Sequence, residues 1–261
     1  MKDIEVVATE FEVAGEILHG NFVKPTGEGP FPGICKFHGL PGSSDQVHGI
    51  AMSLANEGFL VLTFDFRGFR QSEGLFSLSG EIDDAKASVT QLLDSGWARQ
   101  DWVGVYGASF GAAVAVCAAV RDKRVAAVCL RAPVYNTEKL VDSNLVDLIL
   151  QDIMYTIPDE MHGITNAHLQ QDLLARLRED AAGYNPMKEI YKISPRGLFI
   201  TSGDADALID VKGVRALYEQ AGEPKELVIV RGADHNLSRD TPRIETERGV
   251  IDWFRQQVDS H

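Results

Sequence analysis

The stretch Gly107-Ala108-Ser109-Phe110-Gly111 restricts most strongly what this chain can become. A β-type run, Trp102–Tyr106, stands before it, and a small-residue helical pattern from Phe110 to about Val120 follows. A serine between the two must sit on a sharp strand-to-helix turn, where Cβ atoms on the flanking residues would clash and glycine is needed. Its hydroxyl is thereby exposed. Small residues alone would let a helix pack closely on a sheet, but a strand before and a helix after set this motif apart from a chance match.

Similar alternation runs through most of the chain. Short runs rich in valine, isoleucine and phenylalanine predict strands at Gly33–Phe37, Leu60–Phe64, Trp102–Tyr106, Val125–Leu130, Gly197–Thr201 and Leu227–Val230. Val47, Ile50, Ala51, Leu54 and Ala55 give a helix at three-four spacing, stopped by Gly58, and Ile82, Ala85, Val89, Leu92 and Leu93 give the next. A further helix is expected near Val211–Ala221. The last opens with Thr241-Pro242 as cap and first-turn pair and buries Ile244, Val250, Ile251, Phe254 and Val258.

Two regions break the rhythm. Residues 4–23 carry two extended patterns with no helix between them, and Lys24–Pro30 then reads as an exposed turn, which implies an antiparallel entry into the sheet. Residues 134–195 are helical throughout, with no strand. The expected fold class is therefore α/β: a mostly parallel central sheet flanked by helices, with a core domain of residues 1–133 and 196–261 and a helical cap insertion at 134–195. A length of 261 residues suits one such domain.

Composition narrows the function classes. The apolar runs are too short to cross a bilayer, and the start Met1-Lys2-Asp3-Ile4-Glu5 lacks the basic and apolar pattern of a secretory signal, so a soluble cytoplasmic protein is expected. Cys35, Cys117 and Cys129 each lie in an apolar segment and read as reduced core residues. A formal net charge of −13 opposes nucleic acid and anionic membrane surfaces and favours a neutral or cationic substrate, although excess carboxylates also serve solubility alone. No histidine pair has ligand spacing, and Gly27 and Gly29 precede no helix, so neither a metal nor a dinucleotide cofactor is expected.

A serine hydroxyl needs a base within hydrogen-bond reach and a group that holds the base in the right tautomer. His235 follows the last strand, where loops at the carboxyl ends of parallel strands converge. His19, His48, His162, His168 and His261 lie in the early hairpin, on the first helix, in the cap and at the end, and read as solvated or structural. Asp204, Asp206 and Asp210, after the penultimate strand, are all candidates for the acid. An oxyanion needs two N–H donors, of which the first follows the nucleophile at Phe110.

These motifs, in the order serine, acid, histidine, resemble the α/β-hydrolase superfamily from about Phe31 to His261. There the acid loop commonly runs glycine, two residues, acid, then an aliphatic three positions on, and Gly203, Asp206 and Ile209 match. The resemblance thus implies Asp206 as the acid, Asp204 as a turn residue and Asp210 as a helix cap. His38-Gly39-Leu40-Pro41-Gly42 resembles the oxyanion loop of the superfamily, with Leu40 as second donor and His38 structural. Asp65–Gly74 resembles the element D-x-R-G-x-G-x-S-x-G, read as scaffold; it departs at Arg70, where glycine is usual, and the arginine reads as a solvated side chain.

The pattern is most similar to the feruloyl or cinnamoyl esterase, dienelactone hydrolase and serine aminopeptidase-like branches. It implies a cofactor-free serine carboxylesterase acting on small-molecule esters, hydroxycinnamates among them, through an acyl-enzyme. A thioesterase, an amidase or aminopeptidase, and a carbon-carbon bond hydrolase use the same triad. A ligand-binding module with an idle triad ranks lower, because all three positions are filled. Leu145, Leu148, Ile149, Ile153, Met154, Tyr155, Ile157 and Met161 form an apolar series suited to covering substrate, with Leu148, Ile149, Ile153 and Met154 as expected pocket residues; alternatively the series buries the cap against the main domain. A homodimer is left open.

Overall fold

Alternating side chains along Ile4–Val13 (β1) and Glu16–Pro25 (β2) make an antiparallel hairpin. Its loop is Ala14-Gly15, both at positive φ (56° and 89°), which lets a two-residue turn follow the twist of the strands. The computed structural model describes residues 3–261, so Met1 and Lys2 of the acidic start lie outside the described residues. Strand β2 pairs antiparallel with Leu60–Phe64 (β4), and from there the sheet is parallel through Phe31–Phe37 (β3), Ala98–Ala108 (β5), Val125–Arg131 (β6), Gly197–Gly203 (β7) and Lys225–Val230 (β8). The eight strands lie in the order β1-β2-β4-β3-β5-β6-β7-β8. Strands β4 and β7 are buried along their whole length, as expected for strands covered on both faces by crossover helices.

Helices Ile50–Glu57 (α1) and Asp240–Asp259 (α9) cover one face, packing on Ile34, Val61, Trp102 and Phe199. Leu78–Asp94 (α2) and Phe110–Arg121 (α3) bury their apolar stripes on the other. Gly58, at φ 108°, ends α1 in the left-handed conformation. Between β6 and β7 run Thr137–Val141 (α4), Leu145–Thr156 (α5), Ala167–Gly183 (α6) and Pro186–Glu189 (α7). Asp180 of α6 accepts from the backbone N–H of Ser79 at 2.9 Å, tying this segment to α2. Val211–Gln220 (α8) joins β7 to β8. Among the described residues no helix is long and apolar enough to cross a membrane.

Some expectations differ in detail. Lys24 and Pro25 are buried strand residues, because Lys24 pairs with Glu5 across the hairpin at 2.7 Å and lies over the Trp97 ring; the exposed turn is confined to Thr26–Pro30. Val47 and His48 precede α1, which opens at Ile50. Helix α9 begins at Asp240 with Arg239 in the cap position, so Thr241 does not cap it, and Pro242 falls in the first turn, where its missing N–H costs nothing. Ile244 is exposed; the buried face of α9 is Pro242, Thr246, Val250, Trp253 and Phe254.

Candidate active site

Ser109 sits where β5 passes into α3, at φ 55° and ψ −118°, a conformation that side chains rarely adopt. Backbone bonds hold it there: its N–H donates to Arg131 O at 2.9 Å, while its carbonyl accepts from Ala112 and Val134. A Cβ on Gly107 would lie 2.4 Å from the Gly111 carbonyl oxygen, and one on Gly111 would lie 2.2 Å from that of His38. Neither position can take a side chain without moving the turn.

Loops at the carboxyl ends of β7 and β8 bring two further residues to Ser109. His235 Nε2 stands 3.1 Å from Ser109 Oγ, and His235 Nδ1 stands 2.8 Å from Asp206 Oδ2. The other oxygen of Asp206 accepts from the backbone N–H groups of Leu208 (2.8 Å) and Ile209 (2.9 Å), so the aliphatic three positions after the acid marks a turn that closes on the carboxylate. Burial works to raise the Asp206 pKa, but the bond from His235 and the two backbone donors outweigh it and hold the carboxyl below its ordinary range. An ionised Asp206 keeps the proton of His235 on Nδ1, which leaves Nε2 free to accept from the serine. Asp204 instead accepts from the Gly232 backbone N–H, and Asp210 caps α8 through Lys212 N–H.

His38 is occupied elsewhere. Its Nε2 accepts from the Phe66 backbone N–H at 3.0 Å and its Nδ1 donates to Gly39 O at 2.7 Å, while burial, with the charge of Arg70, pushes its pKa down to about 3. The ring is neutral and locks the loop after β3 against the loop after β4. Leu40 lines the same cavity as Ser109, and Gly39 lies close enough that a Cβ there would be 3.2 Å from Ser109 Cβ. The Phe110 side chain turns into the core beside Phe76, leaving its backbone at the head of α3.

Arg70 is not solvated. Its side chain is only 10% exposed, pairs with Asp65 at 2.9 Å and Glu160 at 3.2 Å, and donates to the carbonyls of Pro41 and Ser43. Its backbone has the left-handed φ of 51° that the usual glycine would supply, and its N–H donates to Glu160 O. One side chain thus joins the loop of Leu40, the loop after β4 and the turn that follows α5. Nothing in the local sequence pattern signals the non-local partners at Pro41, Ser43 and Glu160.

The cavity measures about 820 Å³. Leu145, Leu148, Ile149, Asp152 and Ile153 of α5 line it at helical spacing, together with Leu208. Leu148 is 60% exposed at its rim, whereas Ile153 is buried. Met154 does not line it: one residue past Ile153 the helix has turned away, and its sulfur lies against Gln170 of α6. Tyr155 and Ile157 face outward, and Met161 is buried through a bridge to Phe69.

Comparison with known proteins agrees with this architecture. The protein YfhR of Salmonella typhimurium is 25% identical over 231 residues, 85% of this chain and 71% of that protein. Est1E from Butyrivibrio proteoclasticus superposes with a TM-score of 0.74 at 16% identity, covering 97% of this chain and 99% of that one. The Pyrococcus furiosus esterase Pf2001 gives a TM-score of 0.74 at 22% identity, covering 97% and 91%. The alpha/beta hydrolase fold family matches residues 33–186, which include the strand, turn and helix that carry Ser109. By that match, over more than half of its length, the chain belongs to the alpha/beta hydrolase fold family.

Proposed function

We propose that the protein is a serine carboxylesterase that hydrolyses small carboxylic esters through an acyl-enzyme. The unbroken hydrogen-bonded line from Ser109 Oγ through His235 to the ionised Asp206 carries this reading. Ser109 Oγ attacks the ester carbonyl while His235 Nε2 takes its proton, and Asp206 stabilises the imidazolium that forms. The backbone N–H groups of Leu40 and Phe110 receive the oxyanion. His235 then returns the proton to the departing alcohol, and a water activated by the same nitrogen cleaves the acyl-enzyme.

Residues 134–195 act in this scheme as a cap whose helix α5 shields the acyl or aromatic part of the substrate from water. A structure of Est1E, which shares the fold, is described with ferulic acid bound, so a hydroxycinnamate ester belongs in the substrate panel. The test combines p-nitrophenyl esters of increasing acyl length, a hydroxycinnamate methyl ester, matched thioester and amide substrates, and a labelled fluorophosphonate. Wild type should cleave the esters fastest and take the label. Ser109→Ala should fold normally, lose roughly 10⁴-fold or more in turnover and take no label. Turnover near wild type in that variant would overturn the proposal.

A further inference from the structure

The cavity has a second half that the triad does not use. Register pairs Lys36 with Tyr106 and Ala108 with Arg131, so side-chain alternation puts all four on the sheet face that α1 and α9 cover. The cover is incomplete here: Lys36, Tyr106 and Arg131 line the same cavity as Ser109 and His235, opposite Arg243, Thr246 and Glu247 of α9. The apolar residues of α5 line the same cavity.

Its charges are unequally matched. Arg243 pairs with Asp240 at 2.7 Å and with Glu247 at 3.6 Å, Glu247 also accepts from Ser53, and Asp45 pairs with His48; Asp152 is exposed on α5. Among the described residues Lys36 and Arg131 meet no carboxylate within ion-pair distance. Lys36 Nζ donates to the backbone and side-chain oxygens of Gln46, and Arg131 Nη1 donates to the His235 carbonyl at 2.6 Å. An ammonium has three donors and a guanidinium five, so each cation keeps donors free. Holding two cations in a recess without a counter-ion is costly: burial, with the charge of Arg70, pushes the Lys36 pKa down to about 8, and an anion seated between the two would relieve that cost.

We infer that the substrate carries a carboxylate that seats between Lys36 and Arg131 while its ester carbonyl lies at Ser109. The inference rests on the esterase reading and names the substrate class: esters with an acid group on either the acyl or the alcohol side. The chain-wide charge of −13 argues against an anionic ligand only at long range, where salt screens it over roughly 8–10 Å. Inside the chamber the carboxylates of Asp45 and Asp65 act on Lys36 without pairing with it, and Arg70 and Arg131 add positive charge to the same recess.

The experiment compares two matched pairs on the full chain. For the acyl side, p-nitrophenyl hydrogen adipate is set against its methyl-capped diester; for the alcohol side, 4-acetoxybenzoate is set against its methyl ester, with spontaneous hydrolysis subtracted. In at least one pair wild type should prefer the acid by roughly tenfold or more in kcat/KM, the scale of one charge-assisted hydrogen bond. Lys36→Met and Arg131→Met should bring that ratio close to one, and Lys36→Arg should restore part of it. Circular dichroism checks each fold. If the methionine variants do not fold, wild-type inhibition decides: free adipate should compete with p-nitrophenyl butyrate and weaken as salt rises, and no inhibition overturns the inference. Parity or preference for the neutral ester in both pairs, or an acid preference that survives in both folded methionine variants, also overturns it. If p-nitrophenyl butyrate is not cleaved and Ser109 takes no label, the esterase reading itself fails.

Discussion

Replacing Arg70 tests how far the site depends on its scaffold. Arg70→Ala strands the carboxylates of Asp65 and Glu160, which are 17% and 24% exposed, and frees the carbonyls of Pro41 and Ser43. Breaking a buried pair costs about 3–5 kcal/mol and an exposed one about 0–1, so this half-buried network should lose about 2–3 kcal/mol. Arg70→Gly loses the same contacts but relieves the left-handed φ of 51°, a difference of about 1 kcal/mol in its favour. For a domain of this size about 1 kcal/mol moves Tm by roughly 2–4 °C, so alanine should lower Tm by roughly 4–12 °C and glycine by less.

Activity separates positioning from support. Losing one oxyanion donor outright costs about 10²–10³ in kcat, so a loosened Leu40 loop should cost roughly tenfold to a hundredfold, with KM little changed. Both variants should show that loss, because both free Pro41 and Ser43. Thermal melts and steady-state kinetics on the three proteins check it. Wild-type kcat in a destabilised Arg70→Ala would reduce Arg70 to scaffold, and equal Tm for alanine and glycine would refute the strain argument.

Asp206→Asn should depress kcat by about 10⁴-fold, because an amide neither favours the Nδ1-protonated tautomer nor stabilises the imidazolium; Asp204→Asn and Asp210→Asn should do far less, and kinetics on all three decides the register. Glu81 is buried on α2 beside Asp84, with one oxygen unpartnered; burial, then the Asp84 charge, pushes its pKa well above the ordinary value against the pull of Arg67. A raised carboxyl pKa means stability falls as pH rises from the unfolded value near ~4.3 toward the folded one, so Glu81→Gln should raise Tm more at pH 8 than at pH 5, and the opposite trend in melts would refute the assignment.

The sheet was legible because its signal is local. Leu60–Phe64 is apolar at every position but Thr63 because both faces are covered, and the glycines around Ser109 are demanded by the backbone oxygens of Gly111 and His38, a constraint any strand-to-helix turn of this kind imposes. What escaped depends on partners far along the chain. Lys24 reads as a turn residue until Glu5 and Trp97 are known to lie beside it. The apolar stripe of α5 is plain in the sequence, but whether Met154 meets the cavity or α6 depends on where Gln170 falls. Ile244 fits a buried stripe by spacing, yet α9 rotates Thr246, Val250 and Trp253 inward instead.

Charged residues within apolar strands are the signal that could have found more of the site. Lys36 interrupts the apolar run Gly33–Phe37 and Arg131 directly follows Val125–Leu130, each at the carboxyl end of a parallel strand, whereas the charges of β5, Arg99 and Asp101, lie at its opposite end. With Arg70 they form a set of three cations, each donating to the backbone carbonyl of a loop at the site: Arg70 to Pro41 and Ser43, Lys36 to Gln46, Arg131 to His235. Arg70 spends its charge on Asp65 and Glu160 and so can act only by holding its loop. Among the described residues Lys36 and Arg131 pair with no carboxylate, so both keep donors for a ligand in the cavity. The same type of bond to a carbonyl thus serves two ends, and the presence or absence of a carboxylate partner tells them apart: a paired cation supports the loop, an unpaired one can also read the substrate.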